Sequence, residues 1–183
     1  MFMKKSLYVI ACVFILFSKI NAQTFADLKT QMVQDWERAK AYTIEYLNAM
    51  PADKYSYKPN DSVRSFAGHM LHLATVNAYL MFIANDQLPP SWLSREMQNR
   101  PSAQNKDSVV YYTLASYDFA IKAVRNSDTS KWNQIKKLNY GADVSATRFA
   151  LMNKAFEHQT HHRGQTTIYI RMLGIKPPQE RLF

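Results

Sequence analysis

The stretch SATRFALMNKAFEHQTHHRGQTTIYIRMLG, residues 145–174, decides the fold. At 100° per residue, Leu151, Ala155, His158, His162 and Tyr169 fall on one arc of a helix. Apolar neighbours above and below the two histidines point that arc into a protein interior. Gly174 stands where a helix terminator belongs, and Pro177-Pro178 prevents the helix from resuming. Ser145 or Asp143 is suited to cap its start.

Working outward, three more stretches carry the same spacing. In 25–49, Phe25, Leu28, Met32, Trp36, Ala39 and Tyr46 recur at helical steps, and Pro51 closes the run. In 65–84, Phe66, Leu73, Leu80 and Ala84 form a stripe. In 108–125, Val109, Tyr112, Leu114 and Phe119 do so. Four glycines among 183 residues, against eleven tyrosines and ten phenylalanines, disfavour a turn-rich sandwich or barrel. The expected fold is all-α, a four-helix bundle, the kind of core in which metal sites are commonly built. The link over 85–106 holds Pro89, Pro90 and Pro101 and is long for a bundle, so it is either a packed crossover or a functional lid.

Residues 1–22, MFMKKSLYVIACVFILFSKINA, precede the bundle. Lys4 and Lys5 lead an apolar run from Leu7 to Phe17, and small Ala22 follows. The pattern is that of a signal peptide cleaved after Ala22, leaving one domain over 23–183. The run is shorter than the ~20 apolar residues of a membrane-spanning helix. A lipid anchor at Cys12 ranks below plain cleavage, because apolar VFILF continues past the cysteine. Cleavage would place the chain in the periplasm or outside the cell. It removes Lys4, Lys5 and Lys19 but no acid, lowering the formal charge from +9 to +6. It also removes Cys12, the single cysteine, and with it any Cys-His catalysis or disulfide.

All five histidines lie beyond the leader, in two clusters: His69 and His72 in the second helix, and His158, His161 and His162 in the fourth. His158 and His162 sit one helical turn apart, and two imidazoles so spaced can chelate one ion. A third ligand must come from another helix. Helical phase leaves His69 and His72 both open: the first lies nearer the middle of the apolar stripe and the second flanks it with Val76, Tyr79 and Ile83. Gln159 follows His158, so the glutamate base of HExxH is absent, and Glu157 points about 100° away toward the surface.

At these residues the chain resembles the DinB/YfiT-like family of four-helix metalloproteins, which is distinct from the DNA polymerase sharing the DinB name. The resemblance rests on KYSYKPNDSVRSFAGHMLHLA (54–74), HQTHHRGQ (158–165) and YIRMLGIKPP (169–178), and covers essentially all of 23–183. It implies metal ligation by His72, His158 and His162, with His69 and His161 as neighbours, and a homodimer. Many relatives carry an acid three positions after the helix-two histidine; this chain has Thr75 there.

Three neutral imidazoles leave coordination open on a divalent ion such as Zn, Ni, Mn or Fe, which suits catalysis better than structure. The expected activity is hydrolysis of a small-molecule substrate through metal-bound water. Gln165, on the face of His158, is a candidate to orient a ligand or water, or simply a packing amide. Gly164 is read as marking a close helix crossing, and Arg163 as a salt-bridge partner. Two alternatives stand beside hydrolysis. One is a thiol-dependent transferase or isomerase, as in some relatives, which export disfavours. The other is a non-enzymatic binding module of the cell envelope, its basic stretch Lys122, Arg125, Lys131, Lys136 and Lys137 meeting acidic polymers. No nucleic-acid-binding motif is present.

Overall fold

The computed structural model describes the backbone of residues 2–139 and 143–183, and the side chains of 25–138 and 144–183. The leader read at 1–22, its cleavage site and Cys12 lie outside the residues whose side chains are described.

Four helices form the body: α1 (Phe2–Ala49), α2 (Phe66–Asn85), α3 (Lys106–Asn126) and α4 (Arg148–Met172). Three of them begin at side-chain caps. Ser65 accepts from the Gly68 N–H at 3.0 Å, Asn105 from Ser108 at 2.9 Å, and Thr147 from Ala150 at 3.1 Å, each satisfying a donor that the first turn leaves free. The end of α4 matches the sequence reading. Gly174 takes φ +74°, its N–H bonds the Arg171 carbonyl and that of Ile175 bonds Ile170, a Schellman closure that needs the left-handed freedom of glycine.

The start of α4 is a correction. A two-stranded antiparallel hairpin, β1 (Ile135–Asn139) and β2 (Asp143–Thr147), with Leu138 opposite Val144, occupies residues that helical spacing would extend into. Ser145 and Asp143 therefore lie in a strand, and Thr147 is the cap. The hairpin is tied to α2 by Asp86, which receives both Lys136 and Arg148. Asp86 ends α2 with a left-handed φ of 52°, so this acid both closes one helix and anchors the entry to another.

α2 is the central element, packed on α3 and α4, while α1 packs mainly on α3. Its composition would suit a membrane span, but much of it is the bundle core: Phe66, Met70, Leu71, Leu73, Ala74, Ala78 and Met81 are fully buried. Trp36 on α1 meets Tyr117 of α3 and Phe156 of α4 edge-on, with ring centres 5.7 and 5.3 Å apart. The long link over 85–106 is a packed crossover, with Met97 buried and a turn at Met97–Asn99 lying on α2.

Candidate metal centre

The contact between α2 and α4 brings both histidine clusters together. His72, His158 and His162 each offer a ring nitrogen, and the three nitrogens lie within 4.8 Å of one another. The ring centres are 4.9 Å apart for His72–His158, 4.6 Å for His72–His162 and 4.4 Å for His158–His162. The i, i+4 spacing on α4 sets the last of these distances; helix packing sets the other two. Nε2 of His158 lies 3.2 Å from Nε2 of His72. Two nitrogens ligating one tetrahedral ion at 2.0–2.1 Å stand about 3.3–3.4 Å apart, so this pair already has the spacing of a shared ion.

The surroundings keep these rings neutral. Burial, followed by the neighbouring His158 and His72, pushes His162 down to about 3. Burial, then His72, takes His158 to about 4. His72 is lowered by burial and by the Arg64 guanidinium, partly offset by the Gln98 side chain. Imidazoles in this state expose lone pairs at neutral pH and need lose no proton to bind a cation. The buried Nδ1 of His158 has no hydrogen-bond partner among the described residues, while the Gln98 side chain stands close enough to His72 to favour its charged form. Buried polar atoms are rarely left so; Trp36 Nε1, Asn77 Oδ1 and Thr113 Oγ1 share this state elsewhere in the bundle, so the convergence of the ring nitrogens, not the missing partners, marks the site. The donor set, three nitrogens with no thiolate or carboxylate, fits a borderline divalent ion.

His69 stands beside this group. Its Nδ1 lies 3.0 Å from Nδ1 of His162, and its Nε2 lies 3.0 Å from the hydroxyl of Tyr169, which in turn donates to the Arg64 carbonyl at 2.7 Å. Burial and Arg64 push His69 down to about 4, so it too is neutral. The structure thus separates two histidines that helical phase leaves equivalent: His72 faces the α4 pair, and His69 backs one member of it.

The remaining sequence candidates take other positions. Gln165 is exposed, and His161 is an exposed neighbour whose ring centre lies 4.9 Å from that of His162. Glu157 is exposed and paired with Lys154, as its helical phase requires. Gly164 marks no close crossing: a Cβ there would meet nothing within 4 Å. Arg163 is buried; its Nη1 donates to Gln159 Oε1 at 2.8 Å, and its guanidinium lies 4.6 Å from the centre of the Tyr42 ring. Of the basic stretch, Arg125, Lys131 and Lys136 pair with Glu37, Asp128 and Asp86.

Two features escaped the sequence reading. Gln98 comes to His72 from a loop with no periodicity to announce it. Leu138 and Val144 come from the hairpin, for which β-branched Val144 and Thr147 downstream of Gly141 were the available signal. They join Val76, Leu80 and His158 around a cavity of about 430 Å³ beside the histidines.

The DinB family model matches residues 21–181. A DinB-like protein from Bacillus cereus has the same fold at TM-score 0.68 and 14% identity, over 82% of this chain and 95% of its own. A conserved protein from Enterococcus faecalis aligns at TM-score 0.62 and 18% identity, over 79% and 95%. A DinB-like protein from Bacillus subtilis gives 0.57 and 19%, over 84% and 96%. No curated protein matches the chain significantly.

Proposed function

We propose that this chain, which belongs to the DinB family, binds one divalent metal ion through His72, His158 and His162 and uses it in hydrolysis of a small molecule outside the cytoplasm. The observation that carries the reading is the convergence of three neutral ring nitrogens from two helices within 4.8 Å. A divalent ion held there supplies Lewis acidity and brings the pKa of a coordinated water toward 7. The chain's own part is binding and placement. His158 and His162 are fixed relative to each other by one turn of α4, and His72 approaches across the helix seam.

The cavity beside His158 indicates what the substrate looks like. Val76 and Leu80 of α2 with Leu138 and Val144 of the hairpin make an apolar wall, and the Lys154–Glu157 pair stands at its edge. Such a site takes a compact apolar group and excludes water from it, while the polar end of the molecule lies toward the histidines. Esters and amides of small apolar acids have that shape.

Metal content decides the first half of this reading. Elemental analysis of the purified protein should find about one divalent ion per chain, and a His158→Ala/His162→Ala variant should lose it. Equal metal in both would defeat the ligand assignment. For the second half, the metal-loaded protein is assayed against ester, amide and phosphoester panels. Turnover that the double variant lacks supports hydrolysis, and silence across the panels counts against it.

A further inference from the structure

The hydrogen bonds behind the histidine group have one consistent assignment of hydrogens. Tyr169 has a single hydroxyl hydrogen, and the Arg64 carbonyl, 2.7 Å away, can only accept it. The Tyr169 oxygen must therefore accept from His69, which places the His69 hydrogen on Nε2. A neutral His69 then has a bare Nδ1, and that atom lies 3.0 Å from Nδ1 of His162. The hydrogen between them belongs to His162, so its Nε2 carries the free lone pair.

We propose that His69 is a positioning residue that fixes the tautomer and ring orientation of His162, presenting Nε2 of His162 to the ion. This rests on the metal-binding reading above but goes beyond it, since it assigns a role to the histidine that is not a ligand. The chain of bonds ends on a backbone carbonyl, at Arg64 in the turn entering α2, so the orientation is referred to the main chain rather than to a mobile side chain. The His72–His158 pair has no such setting: a single hydrogen between two Nε2 atoms must leave one of them before both can ligate. His162 is thus the ligand prepared in advance. Partners of this kind typically change metal affinity by roughly 10–100-fold when removed.

The test uses four variants and two readouts. Zn²⁺ affinity is measured by competition with a chromophoric chelator, and ring tautomers by ¹⁵N NMR of the metal-free protein. His69→Leu should weaken Zn²⁺ binding by about 10–100-fold and leave His162 as a mixture of tautomers. His69→Gln, whose amide offers an oxygen to His162 and an N–H to Tyr169, should recover most of that loss. Tyr169→Phe should fall between them, and it carries the same test if His69→Leu does not fold. Wild-type His162 protonated at Nε2, or unchanged Zn²⁺ affinity in both His69→Leu and Tyr169→Phe, would overturn the proposal. So would loss of stoichiometric metal in His69→Gln with none lost in His72→Ala, since His69 would then be a ligand. If the wild type bound no Zn²⁺ at all, the metal reading would fail, while the NMR result, obtained without metal, would still decide the tautomer.

Discussion

Helix α4 carries two groups of inward-facing polar side chains on sectors about 100° apart, and they differ in one respect. Toward α1 and α3, Gln159 and Arg163 enter a network that is closed. Gln159 Oε1 accepts from both Tyr117 and Arg163 at 2.8 Å, Tyr117 and Thr43 hydroxyls meet at 2.7 Å, and the Gln159 amide donates to Thr160. Toward α2, His158 and His162 meet other histidines, two Nε2 atoms share one gap, and the Nδ1 of His158 has no partner among the described residues. A closed network holds a fold together, because each member would be costly to orphan. An open one, in which three ring nitrogens lie within 4.8 Å of one another, has the donors that could hold a metal ion. Partnering, more than burial, separates these two groups of side chains, although Trp36 Nε1, Asn77 Oδ1 and Thr113 Oγ1 elsewhere in the bundle are also buried without a partner among the described residues.

The sharpest way to break this comparison is to remove each side in turn. His158→Ala/His162→Ala should abolish stoichiometric metal binding, read by elemental analysis, with a thermal midpoint close to that of the metal-free wild type. Gln159→Leu should do the reverse. It leaves buried Arg163 and Tyr117 without their shared acceptor at a cost of about 2–4 kcal/mol, a fall in Tm of roughly 5–15 °C, with metal stoichiometry retained. If Gln159→Leu lost metal before it lost stability, the two sides would not be separate.

Acid should act on the open side. His69 and His158 titrate near 4 and His162 near 3 in the folded chain, against about 6.5 when unfolded. The unfolded chain therefore binds more protons between those values. Stability should be full above about pH 6.5 and decline as pH falls through 4, with the steepest loss above the folded values. Thermal melts of metal-free protein from pH 7.5 to 4 check the sign; the triple variant His69→Gln/His158→Gln/His162→Gln should flatten the profile. The smallest expected effect is at Gly164, inside α4 with open space where a Cβ would go. Gly164→Ala should stabilise by up to about 1 kcal/mol without changing metal affinity.

The closed side was also the less legible one. One helical step from His162 says that Arg163 points elsewhere, yet the step does not say that it is buried against Tyr42 with Gln159 as its acceptor. That depends on which neighbours α1 and α3 bring. The hairpin escaped for a related reason: residues 135–147 alternate weakly, and each strand finds its place through its partner strand rather than through a stripe of its own.

What the sequence determined by itself is local. Helical periodicity placed four helices, Gly174 ended the last of them, and the i, i+4 relation put His158 and His162 on one face, because these depend only on the geometry of a single helix. Between His69 and His72 helical phase was silent and only the family resemblance implied His72; the tertiary structure brings His72 to that pair with His69 behind it, and it alone decided that Gln98 reaches the site from a loop and that a hairpin walls the adjoining cavity. Those outcomes depend on how far one helix slides and turns against another. Core packing fixes that, through residues such as Phe66, Met70 and Trp36 that carry none of the chemistry.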